Sequence, residues 1–118
     1  MPRCKMLKSA FVTYIDVKPL SVNECWKGRR FKTDSYKNYE RTLLYLLPKR
    51  NIPEPPYSVY YEFGLSSSLS DIDNPVKPLQ DILQKKYGFD DKHIDRMTVQ
   101  RVRVSKGEEY IAFNIQKA

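Results

Sequence analysis

Hydrophobic periodicity changes along this chain from two residues to about three and a half and back, and that alternation constrains the fold more than any other feature. In residues 10–18, Phe11, Thr13, Ile15 and Val17 alternate with Val12, Tyr14 and Asp16, a strand pattern rich in β-branched and aromatic types. Apolar groups on both of its faces suggest an interior strand. Residues 19–33 then read as a basic loop, or as a loop enclosing a short hairpin around Gly28. Thr33, Asp34 or Ser35 can cap a helix whose apolar face is Tyr36, Tyr39, Leu43, Leu46 and Leu47, ended by Pro48.

The proline-rich stretch 48–56 is a connector. A second strand, 57–63, puts Tyr57, Val59, Tyr61 and Phe63 on one side, and a small-residue loop, 64–70, leads away from it. A second helix runs to Tyr87 with Val76, Leu79, Ile82, Leu83 and Tyr87 on one face and Gly88 as its cap. Pro75 suits the first helical position and Pro78 is awkward there, so the regular helix is expected to begin near Lys77. Residues 94–104 and 109–116 look like a hairpin joined around Lys106 and Gly107. The expected class is α+β: one domain over residues 1–118, β-α-β-α-β-β in order, with a mixed sheet packed against two helices.

A chain of 118 residues is one domain, and 41% hydrophobic residues are enough for a core without staples. Twenty-one Lys and Arg against 14 Asp and Glu give a net charge of +7. That excess favours a polyanionic partner, most often nucleic acid, although small proteins are also basic for solubility alone. Cys4 and Cys25 have neither a metal-ligand spacing nor a disulfide framework. Reduced thiols fit a cytoplasmic setting. No run approaches the roughly 20 apolar residues of a membrane helix, so no membrane role is expected.

The stretch richest in chemistry is Asp71, Asp73 and Asn74, then Lys77, then Asp90 and Asp91 beyond the second helix. Two acids two residues apart in an extended segment point the same way. A helix of roughly 12 residues carries the chain about 18 Å away. Asp90 and Asp91 can therefore join the first pair only across a subunit interface, or if the chain folds back. Grouped carboxylates repel unless a cation neutralises them, and hard oxygen ligands select Mg²⁺ or Mn²⁺. Such an ion can orient water beside a phosphodiester. Lys77, one turn beyond Asn74, is placed to reach a phosphate oxygen. The bland alternative makes Asp73 or Asn74 a helix cap and Asp90–Asp91 a turn.

In the order Asp71-Ile72-Asp73-Asn74-x-x-Lys77, then Asp81, then Gly88-Phe89-Asp90-Asp91, these residues resemble the acidic signature of the RusA family of Holliday junction resolvases. Upstream, Pro19-Leu20-Ser21-Val22-Asn23 and Gly28-Arg29-Arg30-Phe31-Lys32 look like the N-terminal motif of phage-borne members. The likeness implies a homodimeric, Mg²⁺-dependent endonuclease that cuts four-way DNA junctions symmetrically, with its carboxylates near the dimer interface. It also implies a role in resolving branched phage DNA. By the resemblance, Asp71, Asp73 and Asp91 are the essential acids, Asp90 is the alternative to Asp91, and Lys77 is the functional lysine. The prolines at 75 and 78 depart from the family's smoother helix start.

Lys27, Arg29, Arg30 and Lys32 surround Gly28 and are candidates for phosphate contact. Trp26 and Phe31, interleaved with them, either anchor the loop to the core or stack on an unpaired base. Arg101 and Arg103 share one strand face, lining DNA or solubilising it. Asn23 and Asn74 join the candidate DNA contacts. Asp81 is expected to pair with Lys77 or Lys85, Glu40 and Glu62 to lie on solvated faces, and His93 to have no role. The rival reading is a non-catalytic DNA-binding module. A nucleotide-sugar transferase lacks room and a Gly-rich loop here, and a hydrolytic triad lacks surroundings for the single histidine.

Overall fold

The computed structural model describes residues 12–27, 31–67 and 71–118. Eight regular elements follow in order: β1 (Thr13–Ile15), β2 (Trp26–Lys27), β3 (Phe31–Lys32), α1 (Asp34–Leu46), β4 (Tyr57–Leu65), α2 (Val76–Tyr87), β5 (Ile94–Arg103) and β6 (Tyr110–Lys117). Short 3-10 turns occupy Val22–Glu24 and Asp91–His93. The main sheet is mixed, in the order β1-β6-β4-β5, and β2 and β3 form a separate two-stranded hairpin. The expected α+β domain with two helices on a mixed sheet is what the chain forms.

The core lies on one face of the sheet because the strands alternate. Tyr57, Val59, Tyr61 and Phe63 of β4 are buried with Ile111, Phe113 and Ile115 of β6, and Tyr36, Tyr39, Leu43, Leu79, Ile82 and Leu83 of the helices complete the cluster. Leu46 departs from its expected place: it is 43% exposed, while Leu47, just past the helix, is buried. Thr33 caps α1 by accepting the Tyr36 N–H at 3.1 Å. Pro78 is the third residue of α2, inside the first turn, where a missing N–H costs nothing. Gly88 ends α2 with φ 72°, a left-handed conformation that suits glycine.

Two expectations about strands are corrected. Residues 94–104 and 109–116 are not a hairpin, because β4 lies between them, parallel to β5 and antiparallel to β6. Aromatic β4 needs neighbours on both sides, whereas β5 carries Asp95, Arg96, Thr98, Gln100 and Arg103, which suit an edge. The connection 104–109 therefore spans two strand spacings, roughly 9–10 Å. It is pinned where the Val104 N–H donates to the Leu65 carbonyl at 3.0 Å. Among the described residues strand β1 is also an edge, not an interior strand. Its outward apolar residue is Tyr14, whose ring stacks on Tyr110 at 4.7 Å without needing a further strand. No helix among the described residues is long and apolar enough to cross a membrane.

Candidate metal and nucleic-acid site

Strand β4 delivers the chain to the acidic segment, and that segment is a turn. The Asn74 N–H donates to the Asp71 carbonyl at 3.2 Å and the Val76 N–H to the Asp73 carbonyl at 3.1 Å. Aspartate at the head of such turns is favoured by its short polar side chain. The expected extended geometry for Asp71 and Asp73 is thereby corrected, and the side-chain alternation argued from it does not apply. Both side chains are exposed. Neither Asp73 nor Asn74 caps α2: its N-cap is Pro75, with no side-chain hydrogen bond. The Asn74 carbonyl accepts the Val22 N–H at 2.8 Å, which ties the turn carrying Asn23 to the acidic turn. Asn23 itself is exposed.

Beyond Gly88 the chain folds back along α2, so that residues distant in sequence approach its N-terminal half. Asp91 Oδ2 accepts a long hydrogen bond of 3.4 Å from Gln80 Nε2, and Gln80 Oε1 accepts the Tyr61 hydroxyl at 2.9 Å. Gln80 is buried in the second turn of the helix. Burial, and next the Asp91 charge, push the Tyr61 hydroxyl well above its ordinary range. Lys77 forms an ion pair with Asp81 at 2.7 Å. That hydrogen bond is the main reason its ammonium is held above the usual value; partial burial opposes it, and the charges of Asp81 and then Asp91 reinforce it. The expected Lys77–Asp81 pairing is present, and Lys85 pairs instead with Glu40 at 2.7 Å, across to α1.

Adjacent Asp90 and Asp91 have different surroundings. Asp90 caps the 3-10 turn, accepting the Lys92 N–H at 3.0 Å, and that bond chiefly holds its carboxyl below the usual range. Asp91 instead faces Gln80. His93 is exposed in the same turn.

Chemically, Asp71, Asp73 and Asp91 suit a hard divalent cation. Their arrangement in one chain does not: among the described residues no three His, Cys, Asp or Glu side chains gather into a group that can hold a metal ion. A single chain therefore carries these carboxylates without gathering them among the described residues.

Basic residues approach from two directions. Because β4 and β5 are parallel, Arg103 lies opposite Leu65, at the end of the sheet from which the acidic segment departs. Arg101 lies opposite Phe63, half-buried, and the two arginines share a face as expected. In the hairpin, Lys32 pairs across from Trp26. Its Nζ sits 4.4 Å from the Tyr36 ring centroid and 5.8 Å from that of Trp26. Trp26 is 48% exposed, so it does not anchor the loop in the core. Arg29, Arg30 and the side chains of Lys27 and Phe31 lie outside the described residues. Cys25 is buried, and burial above all pushes its thiol up, which keeps it protonated and inert.

Sequence reasoning missed Gln80 and Glu62. Gln80 stands four residues after Val76 and three before Leu83, a polar residue in a core-facing position, and that spacing is a readable signal. Glu62 is not a solvated face: it accepts from Tyr60 at 2.6 Å and from Tyr110. No family model matches the chain, and no curated protein matches it.

Proposed function

We propose that this chain is a divalent-metal-dependent endonuclease that cuts four-way DNA junctions, working as a homodimer. The observation that carries the reading is the return of Asp91 to the N-terminal half of α2. There its charge reaches Lys77, in the same helix end that the Asp71–Asn74 turn leads into. Asp71, Asp73 and Asp91 offer carboxylate oxygens to Mg²⁺ or Mn²⁺, and a second protomer is the proposed means of gathering them. Lys77, exposed and charged, is suited to neutralising a phosphate oxygen beside them. Asn23, Asn74, Lys32 and Arg103 are candidate contacts to the DNA backbone, together with Lys27, Arg29, Arg30 and Arg101. The resemblance to RusA resolvases, carried by the same residues, supports the choice of substrate, and the phage-like N-terminal motif supports a role with branched phage DNA.

A second reading, a non-catalytic DNA-binding module, is favoured by the Asp90 cap and by the backbone turn at Asp71. Single Asp→Asn changes at 71, 73 and 91 separate the two. On the nuclease reading each lowers the cleavage rate by roughly 10²-fold or more. Junction affinity is kept or rises, since negative charge near phosphate is removed. Cleavage at the native rate in all three variants rejects the site.

A further inference from the structure

A cleft of about 180 Å³ lies between the β2–β3 hairpin, the first turn of α1 and the first turns of α2, lined by Trp26, Lys32, Tyr36, Lys77, Pro78 and Asp81. We propose that this cleft is a slot for one unpaired nucleobase of a DNA strand, with Trp26 as its stacking face and Lys32 and Lys77 meeting the flanking phosphates. The proposal rests on the reading that the chain binds DNA, and adds a site which that reading does not require.

Size limits the occupant first. The volume is below the roughly 300–1,000 Å³ of pockets for drug-sized ligands, so a single planar ring system fits and a folded segment does not. Chemistry limits it further. A half-exposed tryptophan at the mouth contributes little to the core, but any base has a π-face to lay on it. The group over the Tyr36 ring is the flexible end of Lys32, not packed carbon. That ammonium can swing outward to a phosphate and vacate the aromatic face for a base. Buried Pro78 gives an apolar wall, and the Lys77–Asp81 pair puts a second cation at the rim. An aromatic slot flanked by two lysines matches the repeat of a nucleic-acid strand, base between phosphates. The Val22–Asn74 backbone bond ties the 3-10 turn that leads into the hairpin to the acidic turn, so a base seated here holds its neighbouring phosphates beside Lys77.

Trp26 is the only tryptophan in the chain, so emission excited at the red edge of the tryptophan band, where the nine tyrosines do not absorb, reports on the slot alone. A single-stranded oligothymidylate and an abasic sugar-phosphate strand of equal length are titrated into the full-length protein in EDTA at low salt. The thymidylate should quench Trp26 and bind about tenfold more tightly than the abasic strand, the scale expected of one stacked base. By anisotropy of labelled strands, Trp26→Ala should lose that preference and Trp26→Phe should keep most of it. Equal affinity for the two strands, or thymidylate binding without a change in emission, overturns the slot. So does an undiminished base preference in Trp26→Ala. A protein that nicks four-way junctions yet fails these tests loses the slot and keeps the nuclease; one that binds neither strand nor junction loses both.

Discussion

At Gly64 the outer face of the sheet has no room for a side chain. A Cβ there would lie 2.2 Å from two ring carbons of Tyr110, which crosses the glycine to stack on Tyr14 and donate to Glu62. Gly64→Ala should therefore cost about 1–3 kcal/mol by overpacking. Most of that cost should vanish in a Tyr110→Ala background, since the two positions share one contact. Urea unfolding of the four proteins in the cycle checks this; additive losses would show that the ring is not the obstacle. The same residues mark the limit of what sequence reveals at this scale. Glu62 alternates correctly for an outward position in β4, and nothing in that alternation announces two tyrosines arriving from β4 itself and from β6. Gln80 was more legible, because helical spacing alone puts it among core residues. Its partners, Tyr61 and Asp91, come from elements whose closeness depends on the whole topology.

Among the elements, α1 is tied to the hairpin directly through its N-cap. The Thr33 hydroxyl accepts the Tyr36 N–H and donates to the Glu24 carbonyl, while the Thr33 N–H donates to the Cys25 carbonyl at 2.9 Å. One residue thus caps a helix and closes the loop that leads to Trp26. Thr33→Ala should lower stability by about 1 kcal/mol, moving the urea midpoint with an unchanged slope, and Thr33→Ser should restore it. An unchanged midpoint for the alanine variant would remove the cap from the account. Helices, caps and the central strand were readable because each has a local signal: the spacing of Tyr36, Tyr39 and Leu43, the alternation of Tyr57 to Phe63, glycine at 88. Strand order was not readable. Two strand-like runs with a glycine turn between them look like a hairpin whether or not a third strand separates them. The insertion of β4 is decided by how much aromatic surface it must cover, a property of the assembled sheet.

For the whole molecule, the two helices cover one sheet face, β5 leaves a long polar edge with Arg96, Arg101 and Arg103, and the net charge is +7. Such a charge excess favours polyanionic partners in general, which accords with the proposed DNA substrate, and the acids lie at two places: the turn at Asp71–Asn74 and the fold-back at Asp91. Fold class followed from the order of periodicities. The proposed assembly of the acids could not, since no three of them gather among the described residues and a single chain's sequence carries no signal for how a second copy would dock. The proposed function requires that assembly on a branched substrate, and one assay addresses it directly. Purified protein is incubated with a synthetic four-way junction carrying a label on each strand, and with linear duplex of equal length, in Mg²⁺ or in EDTA. Paired nicks at symmetric positions on opposing strands of the junction, dependent on Mg²⁺ and absent from the duplex, are the predicted result. An intact junction, cutting that persists in EDTA, or equal cutting of the duplex contradicts it.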